Sequence, residues 1–304
     1  MGQASAPGAA RTLRKGTLAA FAAYGMWGGF PIYWKLLGGV GAVQVLCHRV
    51  LWSGLFLVLV LIYKGRLAEV LGIWRHRASA LAVAGCAALI TLNWGVYIWA
   101  VQAGRVTESS LGYYITPLLS VAIGALFFHE RADRWTKAAV LIAVVGIAVA
   151  AWWLGNLPWV SVALAMSFAL YGALKKRAGL DALSGLAAET LMAMPFALVY
   201  LAWQHGGALL TAAPKVTILL VLAGPVTALP LLTFSYAALR IPLQRLGFIQ
   251  YLSPTIQLAL GVLLFGEHLG GPMLLAFGSV VVAVAMYAFT RPAQVGSRVG
   301  EPEP

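Results

Sequence analysis

The stretch Leu111–Glu130, LGYYITPLLSVAIGALFFHE, has an echo in LGFIQYLSPTIQLALGVLLFGE over Leu246–Glu267, with Pro117 and Pro254 set 137 residues apart. Pro117, Gly124 and Glu130 follow one another at steps of seven and six, and Pro254, Gly261 and Glu267 repeat those steps. The same offset carries Tyr113 onto Gln250, Tyr114 onto Tyr251 and Ala100 onto Ala237. Apolar helices share composition by necessity, but they have no reason to share Pro, Gly and Glu in register. The chain reads as one unit written twice, and its fold must be built from two copies.

Composition says what kind of unit it is. Of 304 residues, 61% are hydrophobic and 10% charged, where a soluble domain carries about a quarter charged. Apolar stretches follow one another, each near the roughly 20 residues that cross a bilayer as a helix. Spans are expected at 16–37, 43–63, 78–101, 107–128, 135–154, 157–174, 183–204, 216–239, 244–265 and 271–290. The expected fold is therefore an all-α integral membrane protein of ten transmembrane helices. Residues 1–15 form a basic tail, 16–154 the first five-helix repeat, 155–290 the second and 291–304 a polar tail. The first apolar run reads as a span that stays in the membrane, because no cleavage site closes a short apolar core.

Charge sets the orientation. The net charge of +12 is spread over the segments between apolar runs, so it speaks for topology and not for nucleic acid. With the N-terminus inside, 17 of the 21 lysines and arginines fall on the cytoplasmic side, which predicts that both termini are cytoplasmic. Five spans per repeat is an odd number, so the second copy crosses the membrane upside down. Glu130 then ends its helix inside and Glu267 outside. Inverted repeats place a solute site near the midplane, where the halves meet. Cys47 and Cys86 lie in apolar surroundings and read as small core residues, with no disulfide expected.

Several segments carry a resemblance: YWKLL at 33–37, HRVLWS at 48–53, NWGVYIWAV at 93–101, SLGYYITPL at 110–118, FALYGALKK at 168–176, AGPVTALPLL at 223–232 and LGFIQYLSPT at 246–255. Together they resemble the RarD proteins, within the EamA-type transporters of the drug/metabolite transporter superfamily. The resemblance implies ten helices, an inner-membrane location and transport of a small organic solute, such as a metabolite, amino acid or amphipathic drug, with efflux the expected direction. It names no substrate. Such a carrier has a small molecule and the lipid bilayer as partners, protons or a counter-solute as coupling species, and no cofactor or metal.

Polar groups inside a bilayer are costly, so each invites a functional reading. Lys35 and Arg49 flank the turn between the first two spans and could hold an anionic group, Arg49 through its planar fork and Lys35 as a compact charge. Snorkelling toward head groups is the alternative for both, and Glu108, on the same side, is the expected protein partner. Glu189 is the acidic residue deepest in a span. It suits proton coupling, or pairing with Lys175, Lys176 or Arg177. Asn93 and Tyr97 share a helix face, as do Gln250 and Gln257. Pro117 and Pro254 free carbonyls near Tyr113 and Gln250, so Tyr113, Tyr114, Gln250 and Tyr251 either mend a kink or face the solute. Trp27, Trp34, Trp94 and Trp99 are candidates for an aromatic cavity or for interface anchoring. Gly25 and Gly29 form a GxxxG suited to close packing, and Glu130 and Glu267 suit helix capping.

Other chemistries find no footing. His129-Glu130-Arg131-Ala132-Asp133 departs from the zinc motif HExxH at its last ligand, and neither GxxxxGK[ST] nor GxSxG occurs. A channel would show charged rings or a filter loop. A non-transporting membrane scaffold or a channel is the alternative to a transporter, and an intramembrane enzyme a remoter one.

Overall fold

Residues 7–127, 134–179, 182–204, 207–211 and 213–289 are described in a computed structural model. Their regular structure is helical throughout: α1 (Pro7–Leu36), α2 (Ala42–Tyr63), α3 (Leu67–Arg75), α4 (Arg77–Gln102), α5 (Val106–Phe127), α6 (Arg134–Leu154), α7 (Trp159–Ala178), α8 (Ala182–Trp203), α9 (Ala208–Thr211), α10 (Pro214–Ala238), α11 (Leu243–Ile249), α12 (Leu252–Ala259) and α13 (Gly271–Phe289). Each expected span falls on one of these helices, or for 244–265 on α11, α12 and a π-helical turn at Leu260–Leu264. Seven stretches among the described residues are long and apolar enough to cross a membrane. Gly271–Tyr287 of α13 is a further apolar stretch, while α1 and α7 fall short in composition.

The ninth expected span differs from a plain helix. Pro254 has no N–H to offer the Gln250 carbonyl, and the helix breaks at Gln250–Tyr251. The Gln250 side chain turns back, its Nε2 donating to the Gly247 carbonyl at 3.0 Å. Hydropathy runs unbroken across this point, and Pro254 is the one residue that foretells the break. α3 was unforeseen. It is too short to span, and it lies against α8 and α4, tied by Arg66 Nη2 donating to Ser184 Oγ at 3.2 Å.

Neighbours repeat with the sequence. α1 packs on α10 and α12, and α7 packs on α4 and α5. α2 lies against α8 and α10, α8 against α2 and α4, α5 crosses α12, and α6 runs along α13. Pairing α1 with α7, α2 with α8, α4 with α10, α5 with α11–α12 and α6 with α13 leaves this set of contacts unchanged. Close approaches also match. A Cβ at Gly28 would lie 2.7 Å from Ile256 Cβ, and one at Gly112 would lie 2.8 Å from the Ser161 carbonyl oxygen. So α1 meets α12, and α7 meets α5, only because one partner lacks a side chain there. The expected GxxxG makes no such close approach: added Cβ atoms at Gly25 and Gly29 would meet nothing within 4 Å.

The bundle has two unlike ends. At the end bearing the α1–α2 turn, cross-ties are dense. Gln102 Nε2 donates to the Leu37 and Val40 carbonyls, Ser161 Oγ to the Glu108 carbonyl, and Tyr33 O–H to the Leu219 carbonyl. Glu267 accepts from the backbone N–H groups of Val106 and Thr107, both at 2.7 Å. That carboxylate satisfies two of the orphan donors at the α5 N-terminus and sits favourably in its dipole, so capping is the role of Glu267. Glu130 lies outside the described residues, as do His129 and Asp133. A buried apolar cluster fills this end, with Trp34, Leu37, Val45, Ile98, Val101, Val106 and Leu220 at its centre.

Candidate functional site

Between the halves lies a cavity of about 490 Å³, within the usual size range of small-molecule sites. Its wall draws on α1 (Tyr24, Trp27, Phe30), α2 (Arg49), α4 (Asn93, Trp94, Tyr97) and α5 (Tyr113, Thr116, Pro117). From the other half come α7 (Phe168, Tyr171, Lys175), α8 (Leu183, Leu186), α10 (Thr227, Phe234, Ser235) and the α11–α12 region (Gln250, Ser253, Pro254, Gln257). The lining begins beneath the apolar cluster, at Phe30, Arg49 and Tyr97. It continues to Lys175, Leu183 and Ser235, at the helix ends opposite the α1–α2 turn.

Arg49 dominates the closed end. The residue is 3% exposed, and its guanidinium carbon sits 4.0 Å from the centre of the Trp94 ring, 5.1 Å from Trp34 and 5.9 Å from Phe30. These rings supply cation–π attraction but no hydrogen-bond acceptor, and Nε and Nη1 are buried without a partner among the described residues. The predicted partner is engaged elsewhere: Glu108 Oε1 lies 2.6 Å from Arg105 Nη2. Lys35 does not join Arg49. It is exposed at the end of α1, where its ammonium reaches the Val101 carbonyl at 3.5 Å and stands 5.7 Å from the Phe265 ring centre. Being adjacent to the inward-facing Trp34 turns Lys35 away from the cavity.

A polar relay fixes the wall beside Arg49. Asn93 Nδ2 donates to the Leu164 carbonyl at 3.0 Å and to Ser167 Oγ at 2.9 Å, which leaves its Oδ1 to accept from Tyr113 O–H at 3.3 Å. The rings of Tyr113 and Tyr97 meet edge to face at 5.6 Å. Asn93 thus orients Tyr113, and Tyr113 backs Tyr97. On the other side Gln257 Nε2 donates to the Trp27 carbonyl at 3.4 Å and to Ser253 Oγ at 3.3 Å.

The far end is built differently. Lys175 Nζ lies 3.0 Å from Glu189 Oε1, and Tyr171 O–H donates to Glu189 Oε2 at 3.0 Å. Lys175 also donates to the Tyr171 hydroxyl oxygen at 2.6 Å. Lys175 and Tyr171 line the cavity, while the carboxylate of Glu189 lies buried behind them.

Tyr114 and Tyr251, the partners in the repeat, meet each other instead of lining the cavity. Their rings stack at 5.8 Å, and Tyr114 O–H and Thr255 Oγ1 share a hydrogen bond of 2.6 Å. Among the tryptophans, Trp27 and Trp94 line the cavity. Trp34 lies behind Arg49, and Trp99 joins Trp159 around Arg105 near the α1–α2 turn end. Phe168, Tyr171 and Phe234 went unremarked in the sequence, since an aromatic residue in an apolar helix looks alike whether it faces core, lipid or cavity.

The sequence profile of the EamA-like transporter family matches residues 14–152. An uncharacterized transporter of Pseudomonas aeruginosa is 43% identical over 291 residues, covering 92% of this chain and 95% of its own. Protein RarD of Escherichia coli is 37% identical over 284 residues, covering 91% and 95%. The chain belongs to the EamA-like transporter family, among the RarD proteins. Like the family it is a multi-pass membrane protein. An uncharacterized transporter of Bacillus subtilis, 39% identical over 285 residues, extends the kinship well beyond one lineage. A solved crystal structure that shares 18% identity superposes with a TM-score of 0.60, over 93% of this chain and 98% of its own, and so shares the fold of this EamA-like chain.

Proposed function

We propose that this protein is a secondary transporter that carries a small organic solute across a bacterial inner membrane by alternating access, in the direction of efflux. In this reading ten helices cross the membrane as two inverted five-helix repeats, with both termini in the cytoplasm. The observation that carries it is the position of the cavity. The wall comes from corresponding helices of the two halves, and the cavity is sealed at one end while its lining reaches the other. Rocking one half against the other would open the sealed end and close the open one. The matching neighbours of α1 and α7, and of α2 and α8, support the same motion. Asn93, Tyr97, Tyr113, Gln250 and Gln257 take the solute-facing roles, with Arg49 at the sealed end. Glu189, with Lys175 and Tyr171, is the place for a coupling proton. The fill of Trp34, Leu37 and Leu220 above Arg49 speaks against a continuous channel.

Labelling tests this without knowledge of the solute. Thr227 lines the cavity from the middle of α10, so Thr227→Cys, in a chain with Cys47 and Cys86 replaced by Ala, reports access. A membrane-impermeant maleimide should label it from the cytoplasmic side in inverted vesicles and, more slowly, from the external side in intact cells. Labelling from one side only under all conditions contradicts alternating access and favours a scaffold.

A further inference from the structure

We infer that the solute is an organic anion with a flat apolar body, its charged group seated on Arg49, and that organic cations are excluded. The inference rests on the transporter reading and deepens it. Four residues of the cavity wall, from four different helices, carry buried polar atoms with no partner among the described residues: Arg49 Nε and Nη1, Tyr97 O–H, Thr227 Oγ1 and Gln257 Oε1. Buried polar groups are normally bonded, so a cluster of orphans in one wall calls for an explanation. Arg49 can only donate, and the Tyr97 and Thr227 hydroxyls can donate as well. Such a set is satisfied by an oxyanion. Gln257 does not take that role: its Nε2 donates to the Trp27 carbonyl and to Ser253 Oγ, which leaves its Oε1 as a buried acceptor without a partner among the described residues. That oxygen suits an N–H or O–H on the uncharged part of the solute.

Aromatic walls by themselves would argue for a cation, since ring faces attract positive charge. Here the protein has filled that role itself. The faces of Trp94, Trp34 and Phe30 are turned to the guanidinium of Arg49, and the second charge on the wall, Lys175, is also positive. Lys175 has its own carboxylate behind it in Glu189, at 3.0 Å. Arg49 has none. A cationic solute would add a like charge to a buried, unpaired one. An anion cancels it. The remaining wall, Tyr24, Trp27, Tyr113, Phe168 and Phe234, offers ring edges and faces to an apolar body.

Three compounds on one skeleton test this: phenylacetate, its neutral amide phenylacetamide, and the cation 2-phenylethylamine. Binding to the purified full chain is read by tryptophan fluorescence, with Trp94 as the reporter beside Arg49, and by calorimetry. Phenylacetate should bind about 10- to 150-fold more tightly than phenylacetamide, the range expected for a charge-assisted bond, and the amine should not bind. Arg49→Lys should erase most of the preference, because an ammonium cannot reproduce the fork or the stack on Trp94. Equal binding of acid and amide, tighter binding of the amine, or binding of none of the three overturns the inference. So does a preference that survives in Arg49→Lys. If the Lys variant fails to fold, the wild-type comparison of acid against amide still decides. Two-sided labelling of Thr227→Cys alongside any of these failures would leave the transporter reading standing.

Discussion

Arg49 and Glu189 are each set about two turns into a helix, on α2 and α8, which correspond in the repeat and pack on each other. Each is almost wholly buried, roughly 10 Å along its helix at 1.5 Å per residue. The helices start at opposite ends of the bundle, so the two charges do not meet. What surrounds them differs. Glu189 has an ammonium at 3.0 Å and a phenol at 3.0 Å. Arg49 has three ring faces and unpaired N–H groups. Burying a charge costs several kcal/mol unless it is paired and hydrogen-bonded. Within the protein the Glu189 charge is compensated and the Arg49 charge is not.

The largest expected effect separates the two in sign. Glu189→Met strands Lys175 beside a buried wall, and breaking a buried pair costs about 3–5 kcal/mol. Lys175 keeps some solvent access at 18% exposure, so the loss should fall toward the lower bound, seen as a clear drop in melting temperature. Arg49→Met, the same kind of change, should leave the melting temperature unchanged or raise it, because it removes an uncompensated charge. If both variants melt lower by similar amounts, the contrast is gone. Glu189→Gln is milder, since Tyr171 can still donate to an amide oxygen. Its signature is functional: it cannot carry a proton, so accumulation of solute against a gradient should vanish while binding persists. Accumulation retained in Glu189→Gln would return the residue to a structural role.

Smaller effects sharpen the picture around Arg49. Trp94→Leu removes the nearest ring, a contact worth about 1–2 kcal/mol when desolvated, and should loosen phenylacetate binding severalfold without unfolding the chain. Unchanged binding would mean that the stack does not position the guanidinium. Glu267→Gln weakens the charged cap on α5 by about 1 kcal/mol. It should speed external labelling of Thr227→Cys, because this cap is one of the ties holding the sealed end. No change in labelling would make the cap a local feature of α5.

Much of this contrast was legible beforehand, and its gaps have physical causes. The repeat announced itself through Pro117, Gly124 and Glu130, residues that composition alone does not place. Arg49, Asn93 and Tyr97 stood out as polar groups in apolar runs. Lys35 carried the same signature as Arg49, yet ends exposed, because one position along α1 is a turn of about 100° and Trp34 takes the inward face. Tyr113 and Tyr114 divide in the same way: the first lines the cavity and the second stacks on Tyr251. Glu189 was legible as a partner for Lys175, Lys176 or Arg177 across one short connection, but which of the three it meets was not, since that depends on the facing of α7. The orphan state of Thr227 and Gln257 was not legible either, since it depends on which helices meet around them.

A solute that completes Arg49 must stabilise the protein only while Arg49 is present. The most direct measurement is the melting temperature of purified wild-type protein and of Arg49→Met, each with and without phenylacetate. A ligand that binds only the folded state raises the melting temperature in proportion to its occupancy. The variant should melt at or above the wild type without ligand, and phenylacetate should stabilise the wild type alone. A variant that melts well below the wild type, with phenylacetate shifting both or neither, would make Arg49 a structural residue and contradict the account.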